Sequence, residues 1–521
     1  MQGNKEYSEK LFLSFQLSQK IPLNNFYRKL KDTLDLRFLA KQTKQYYGTE
    51  GQQSIDPVVF FKLMLVGYLE NLSSDRQVID HASLRMDILF FLGYDIDEQL
   101  PWHSTLSRTR KLYGEDVFLS LFQKVLTMCI SKGMVSGKRQ AIDSAFIKAN
   151  ASMGSLVEKE VVADTRSYLD ELIRNEDDKP VVTEQQKKMV DQHHAWKKKA
   201  YKGMPGHRAK DYLPGEDSME RKFLSNHTHY SPTDPDARIS VKPGKPRQLN
   251  YSGQISVDTQ SHVICGAMAD RADNRDSMSL PAILTQTIDN LKPHQIEVKE
   301  ILADTGYSSG DVLRTLEFQK IKGYIPNFGQ YKPEREGFTY DPESNRYVCS
   351  QGALLPYKKT YADAKGNVKN HYRASARDCK PCPLRSVCIG KSNEKTIEDT
   401  VDKPYYDRMH IRMQTQKAKR MKKLRQSTVE PVLGTLINFL SMRRVNTRGL
   451  QQVNKHVLMA ALAYNLKKYM NYVRKIKIPM TLENIKTSEY QPISTTIDFF
   501  IALFSGNLHI RTFLPISYKL L

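Results

Sequence analysis

The sequence predicts an α/β protein: a mixed sheet flanked by helices, with a helical N-terminal domain and a small Cys-rich insertion. Three observations lead there. Between residues 138 and 326, short apolar runs of strand character alternate with helical stretches. Residues 1–135 carry helix starts and helical spacing of apolar residues. Four of the six cysteines, Cys349, Cys379, Cys382 and Cys388, fall within forty positions.

In the N-terminal region, Asp56 and Pro57 open a helix with apolar residues at Val59, Phe60, Leu63, Val66 and Leu69. Ser74 caps a short helix through Asp75, Arg76 and Gln77, and Ser104 caps another through Arg108, Arg110 and Lys111. A longer helix runs from Glu115 to Ile130. Short helices with tight turns, one of them basic, fit a helix-turn-helix type DNA module with Arg108, Arg110 and Lys111 as contacts. A plain helical bundle with a solvated basic face fits equally well.

From Lys138 the texture changes. Ala141 to Ile147 reads as a strand, and Tyr251–Val257 with His262–Ala269 as a hairpin. A helix follows over Ser279–Leu291, then an apolar strand, Val298–Ala303, that ends at Asp304. Ser309–Gln319 reads as a helix and Gly323–Pro326 as a short strand. Without insertions the order is strand, strand, strand, helix, strand, helix, strand, helix, which is the order of a ribonuclease H-like fold. The expected domains are therefore 1–135 (helical), 136–326 with 401–475 (sheet and helices, with a polar insertion at 151–249), 327–400 (Cys-rich) and a tail at 476–521.

The charge balance points to a polyanion. Lys and Arg number 79 against 57 Asp and Glu, a formal net charge of +22, with a pI near 9.4. Charge alone does not choose between DNA, RNA and an anionic membrane. The start, MQGNKEYSEK, has no apolar core of a secretory signal. No run reaches the roughly 18 apolar residues of a spanning helix; Val58 to Leu72 is broken by Lys62 and Glu70. A cytoplasmic protein with no membrane role is expected.

Asp143 falls in the middle of the first strand and Asp304 at the end of the fourth. In a sheet of this order those strands are neighbours, and ligand sites of open α/β sheets lie at strand carboxyl ends. Breaking a phosphodiester needs an activated oxygen and a stabilised leaving oxygen. Two Mg2+ or Mn2+ ions about 3.5–4 Å apart supply both, and such hard ions prefer carboxylates. Clustered carboxylates repel one another unless cations neutralise them. For any single Asp, capping a turn is the simpler role, and Asp304 precedes a predicted helix. Glu430 has its own structural reading: Ser427-x-x-Glu430 matches a capping box, and Pro431 marks a helix start nearby. Val432, Leu433, Leu436, Ile437 and Leu440 then share a face that would pack on the sheet, which lets Glu430 reach the two aspartates.

Several segments resemble the bacterial insertion-sequence transposases of the DDE class, in the branch with a Cys-rich insertion before the catalytic Glu. They are AIDSAFIKANAS (141–152), SPTDPDAR (231–238), KPGKPRQLNY (242–251), ILADTGYSSGDVL (301–313), VEPVLGTLINFLSMRRVNTRGL (429–450) and ALAYNLKKY (461–469). LPWHSTLSRTR (100–110) resembles that family's helical N-terminal region. The likeness is spread over residues 50–470, and its specificity lies in the order and spacing of the motifs. It implies Asp143, Asp304 and Glu430 as the catalytic, Mg2+-holding acids. It also implies cleavage at the ends of an insertion sequence, attack of the freed 3′-OH groups on target DNA, and no covalent protein–DNA intermediate. Terminal inverted repeats and target DNA would be the partners of a homodimer or higher oligomer. Many relatives place a Tyr and an Arg before the Glu. Here Lys423 and Gln426 hold those places, with Arg425 one position off.

Cys379-x2-Cys382-x5-Cys388, with Cys349 upstream, can supply four thiolates to a structural Zn2+. The segment has little apolar content, so a metal is expected to organise it; four reduced, unligated thiols are the alternative. Cys129 and Cys265 sit in apolar contexts and read as core. Lys417, Lys419, Arg420, Lys422, Lys423 and Arg425 form a basic stripe before Glu430, and Arg443 and Arg444 follow it. Beside a phosphodiester-cutting site such a stripe is expected to touch the DNA backbone. Two other functions fit the same residues: a metal-dependent nuclease of this fold that never joins strands, and a catalytically inactive zinc-containing DNA-binding protein.

Overall fold

Local capping chemistry shapes the N-terminal region in the computed structural model, which describes residues 16–48, 50, 54–162, 181–202, 224–241, 246–329, 331–363 and 366–488. Eight helices follow one another: α1 (Leu17–Lys20), α2 (Phe26–Thr33), α3 (Phe38–Thr43), α4 (Pro57–Leu69), α5 (Asp75–Ser83), α6 (Met86–Leu92), α7 (His103–Leu112) and α8 (Glu115–Ser131). Asp56 caps α4 by accepting the Val58 N–H, and Ser74 caps α5 by accepting that of Gln77. The expected Ser104 cap is absent. α7 starts two residues earlier than that cap requires, at His103, behind Trp102, which makes no side-chain cap. These helices and the sheet belong to one compact unit, which ends at Lys468; the described residues beyond it belong to a second.

The central sheet is built from β1 (Arg139–Lys148) and strands downstream of the polar insertion. The insertion's described parts hold four short strands, β2 (Val157–Glu158), β3 (Glu160–Val162), β4 (Val181–Thr183) and β5 (His229–Tyr230), and α9 (Glu184–Lys202). Its residues 163–180, 203–223 and 242–245, like the tail beyond 488, lie outside the described residues. The sheet continues with β6 (Arg238–Ser240), β7 (Gln248–Asp258), β8 (Ile264–Arg271), β9 (Glu300–Leu302) and β10 (Lys322–Tyr324). Its order is β10-β9-β1-β7-β6, and β8 also pairs with β7. β1 is antiparallel to β7 and parallel to β9, as the expected order requires. Amide side chains block the free edge of β8: Gln286, Asn454 and Asn465 accept its N–H groups, and Asn290 and Asn465 donate to its carbonyls.

On one face of the sheet, α10 (Asp276–Leu291) and α11 (Gly310–Phe318) enclose an apolar core with Ile142, Ile301, Ala303, Leu280, Val312 and Leu316. The Cys-rich insertion is a five-stranded antiparallel sheet of β11 (Phe338–Asp341), β12 (Arg346–Cys349), β13 (Leu354–Ala362), β14 (Val368–Arg373) and β15 (Thr396–Thr400), with two one-turn helices, α12 (Ala376–Cys379) and α13 (Arg385–Cys388). It is not apolar-poor. Tyr347, Leu355, Tyr372, Ala374 and Ile397 give it a core of its own, because its tyrosines act as apolar bodies with a polar tip.

Three helices complete the chain: α14 (Lys403–Gln414), α15 (Gln416–Phe439) and α16 (Leu450–Ser488). α15 runs through Ser427 and Pro431 without a break, so the expected capping box at Glu430 does not form. Ser427 instead donates its hydroxyl to the Leu424 carbonyl at 3.1 Å. The start of α16 is latched by the SPTDPDAR segment: Asp234 accepts the Gly449 N–H and Asp236 that of Leu450, both at 3.0 Å.

Candidate active site

Strand register brings two aspartates level. β1 and β9 pair with Ala141 opposite Leu302, and Asp143 and Asp304 each follow two residues later. Alternation along β1 turns Asp143 away from the Ile142 face and toward α15. Asp304 also does what an Asp after a strand commonly does: it caps a single turn, Thr305–Tyr307, by accepting the Gly306 N–H at 2.9 Å.

Asp143 is held from the opposite element. Arg425 on α15 donates from Nη1 to Asp143 Oδ2 at 2.7 Å, with the side chains 13% and 16% exposed. Arg425 was expected on the DNA-facing stripe. The helical repeat instead puts it on the inner face with Ala418, Met421, Thr428 and Val432, all buried. Burial pushes the Asp143 carboxyl above the usual range; the charge of Arg425 and the Ser144 N–H oppose that, and the charge of Asp304 adds to it.

Glu430 lies on the exposed side of α15, next to buried Val429. Among the described residues, no group of three or more His, Cys, Asp or Glu is arranged to hold a metal ion. The donor chemistry of the aspartate pair nevertheless fits a divalent cation. Its carboxylate oxygens are hard donors, one in the middle of β1 and one two residues beyond the neighbouring β9; their charges interact, and Arg425 supplies the positive charge that one of them needs.

Sequence reasoning missed a third acid beside this pair. Asp276, in the first turn of α10, accepts Gln254 Nε2 at 3.0 Å. A Cβ placed on Gly306 would lie 3.1 Å from Asp276 Oδ2 and 3.2 Å from Asp304 Oδ1, so both carboxylates face the bare glycine. The signal was present in Asp270, Asp273 and Asp276, which fall between the predicted hairpin and the predicted helix start at Ser279.

The four clustered cysteines all line one cavity, together with Phe338, Leu355 and Lys395. Their thiols form no disulfide, and Cys349 Sγ accepts the Ala353 N–H at 3.3 Å. Cys129 and Cys265 are fully buried core residues.

The basic residues divide into two groups. Arg108 and Lys111 on α7, Lys419, Arg420, Lys422 and Lys423 on α15, and Arg443 and Arg444 beyond it are exposed. Arg110 is not: it is buried in an ion pair with Asp75, and its carbonyl accepts Lys455 Nζ at 3.1 Å. It serves the helical core and is closed to a phosphate. Lys417 pairs with Glu300 at 2.7 Å.

Two family models match the chain. Residues 15–112 match a Transposase domain (DUF772), and residues 348–470 match a Transposase DDE domain. The second match contains Glu430 and the four clustered cysteines; Asp143 and Asp304 lie upstream of it. Comparison with curated proteins finds no match. Both matched regions are transposase domains, and together they support an enzymatic function in DNA transposition. A DDE domain implies a ribonuclease H-like fold, in line with the strand order of the central sheet. Among the described residues, no helix is long and apolar enough to cross a membrane.

Proposed function

We propose that this transposase cleaves DNA at the ends of a bacterial insertion sequence and joins the freed 3′-OH groups to target DNA, with Asp143, Asp304 and Glu430 holding two Mg2+ or Mn2+ ions. The observation that carries the reading is that Asp143 on β1 and Asp304 just past β9 each follow two residues after a paired position of these parallel neighbouring strands. When bound, the cations activate the attacking oxygen and stabilise the leaving one. The chain's own part is to hold oxygen ligands on β1 and just past β9 and to offer exposed cations to the DNA backbone.

Glu430 is favoured as third acid by elimination among its neighbours. Glu394 is paired with Arg373, Glu398 accepts the Tyr361 hydroxyl, Asp402 pairs with Arg314, and Asp407 holds Lys403 and Tyr331. Glu430 is instead left open on the helix that packs against β1 and supplies Arg425. Arg108, Lys111, Lys419, Arg420, Lys422, Lys423, Arg443 and Arg444 are the proposed DNA contacts. A structural Zn2+ is proposed for the cavity that the four cysteines share. Joining two ends of one element calls for at least two copies on the DNA.

A donor–target assay with Mg2+ tests the function. Joined products support it. Cleaved but unjoined ends would make the protein a nuclease of the same fold, and no metal-dependent cleavage would leave an inactive DNA-binding protein.

A further inference from the structure

Behind Asp304 runs a buried chain of polar groups that the aspartate pair does not explain. Tyr307, fully buried, donates its hydroxyl to Gln254 Oε1 at 2.5 Å. Gln254, fully buried on β7, donates from Nε2 to Asp276 Oδ1 at 3.0 Å and to Ser252 Oγ at 3.1 Å. An ionised carboxylate can only accept. The amide must therefore turn its NH2 group to Asp276 and its carbonyl to Tyr307, and the phenol must donate. Burial, then the charges of Asp276, Asp143 and Asp304, hold the Tyr307 hydroxyl protonated well above its ordinary pKa, as this direction requires. The chain fixes one oxygen of Asp276 and leaves the other facing Asp304 across Gly306.

We propose that Asp276 works with Asp304, across Gly306, in holding a divalent cation, and that Gln254 and Tyr307 are its positioning residues. The inference rests on the two-aspartate site. A plainer role exists, since a carboxylate in the first turn of a helix favours the helix dipole. That role needs no buried phenol–amide chain, which sets the carboxylate's orientation as well as its charge. Groups that orient a metal-holding carboxylate commonly change metal affinity by about 10- to 100-fold when removed.

The test is Mn2+ titration of the DNA-free, full-length protein, read from the electron paramagnetic resonance signal of free Mn2+, with thermal unfolding in chelator alongside. Asp276→Asn is expected to weaken Mn2+ binding roughly tenfold or more, and Tyr307→Phe to weaken it several-fold. Asp276→Glu keeps the charge in the first turn of α10 but moves its oxygens. It should unfold like the wild type and still bind Mn2+ less tightly. Wild-type Mn2+ affinity in Asp276→Asn and Asp276→Glu, with affinity lost in Asp304→Asn, overturns the proposal and leaves the aspartate pair standing. Wild-type affinity in all of these variants and in Asp143→Asn overturns both.

Discussion

Arg425 reaches from α15 to Asp143 on β1, and its Nη1 donates to Oδ2 at 2.7 Å. This contact joins the helix that carries Glu430 to the strand that carries the first aspartate. It also places a fixed positive charge where a cation would otherwise balance Asp143. Arg425→Gln leaves a buried carboxylate without its partner, so in chelator it should cost about 3–5 kcal/mol of stability. Saturating Mn2+ should restore more stability to this variant than it adds to the wild type. Equal shifts in Tm for the two proteins would show that the arginine and the metal do not share Asp143.

Asp143 carries a stability cost of its own. Burial raises its folded pKa above the unfolded value, so the favourable contribution exists at low pH and is lost as pH rises through the folded pKa. Asp143→Asn removes this ionisation cost but leaves the buried Arg425 guanidinium without its charged partner. Its Tm relative to the wild type should therefore rise as pH rises above the ordinary Asp value of 3.8. Thermal unfolding in chelator across pH measures this; a variant less stable at pH 7 than at pH 3, relative to wild type, contradicts it.

Much of this site was legible because strand position is legible. The apolar runs ending at Asp304 and centred on Asp143 gave both strands, and the element order made them neighbours. Helix interiors were read less well. Ser427-x-x-Glu430-Pro431 has the composition of a helix start, yet α15 begins at Gln416. The charges of 417–425 concealed the inner positions Ala418 and Met421, and with them the inward place of Arg425. Arg110 was misread for a related reason: its partner Asp75 lies 35 positions away, and pairing at that distance leaves no local signal. The insertion's tyrosine core was missed because tyrosine counts as half polar in any pattern of apolar residues.

The exposed stripe on α15 should set the salt dependence of DNA binding. Neutralising Lys419, Lys422 and Lys423 should flatten the log–log salt slope on duplex DNA by about 0.9 per lost phosphate contact. Arg110→Ala should lower Tm and leave the slope of the folded protein unchanged, since its guanidinium is spent on Asp75. An unchanged slope in the triple-lysine variant would make the stripe a solvated face.

Freshly purified, reduced protein should contain about one Zn2+ per chain. Replacing Cys379 and Cys382 by Ser should remove it and lower stability, because binding energy at such sites is folding energy. The insertion's own core predicts only partial loss of its fold. Elemental analysis without zinc would leave the cavity lined by four free thiols.

Single-turnover, Mg2+-dependent cleavage of duplex DNA carrying the element's end, with binding measured in the same samples, tests the central claim most directly. Asp143→Asn and Asp304→Asn should each bind DNA like the wild type and cut it on the order of a thousandfold more slowly, the equivalent of several kcal/mol of lost charge stabilisation. Glu430→Gln should join them, while Glu398→Gln should cut normally. Cleavage near the wild-type rate by either aspartate variant would contradict the account at its centre.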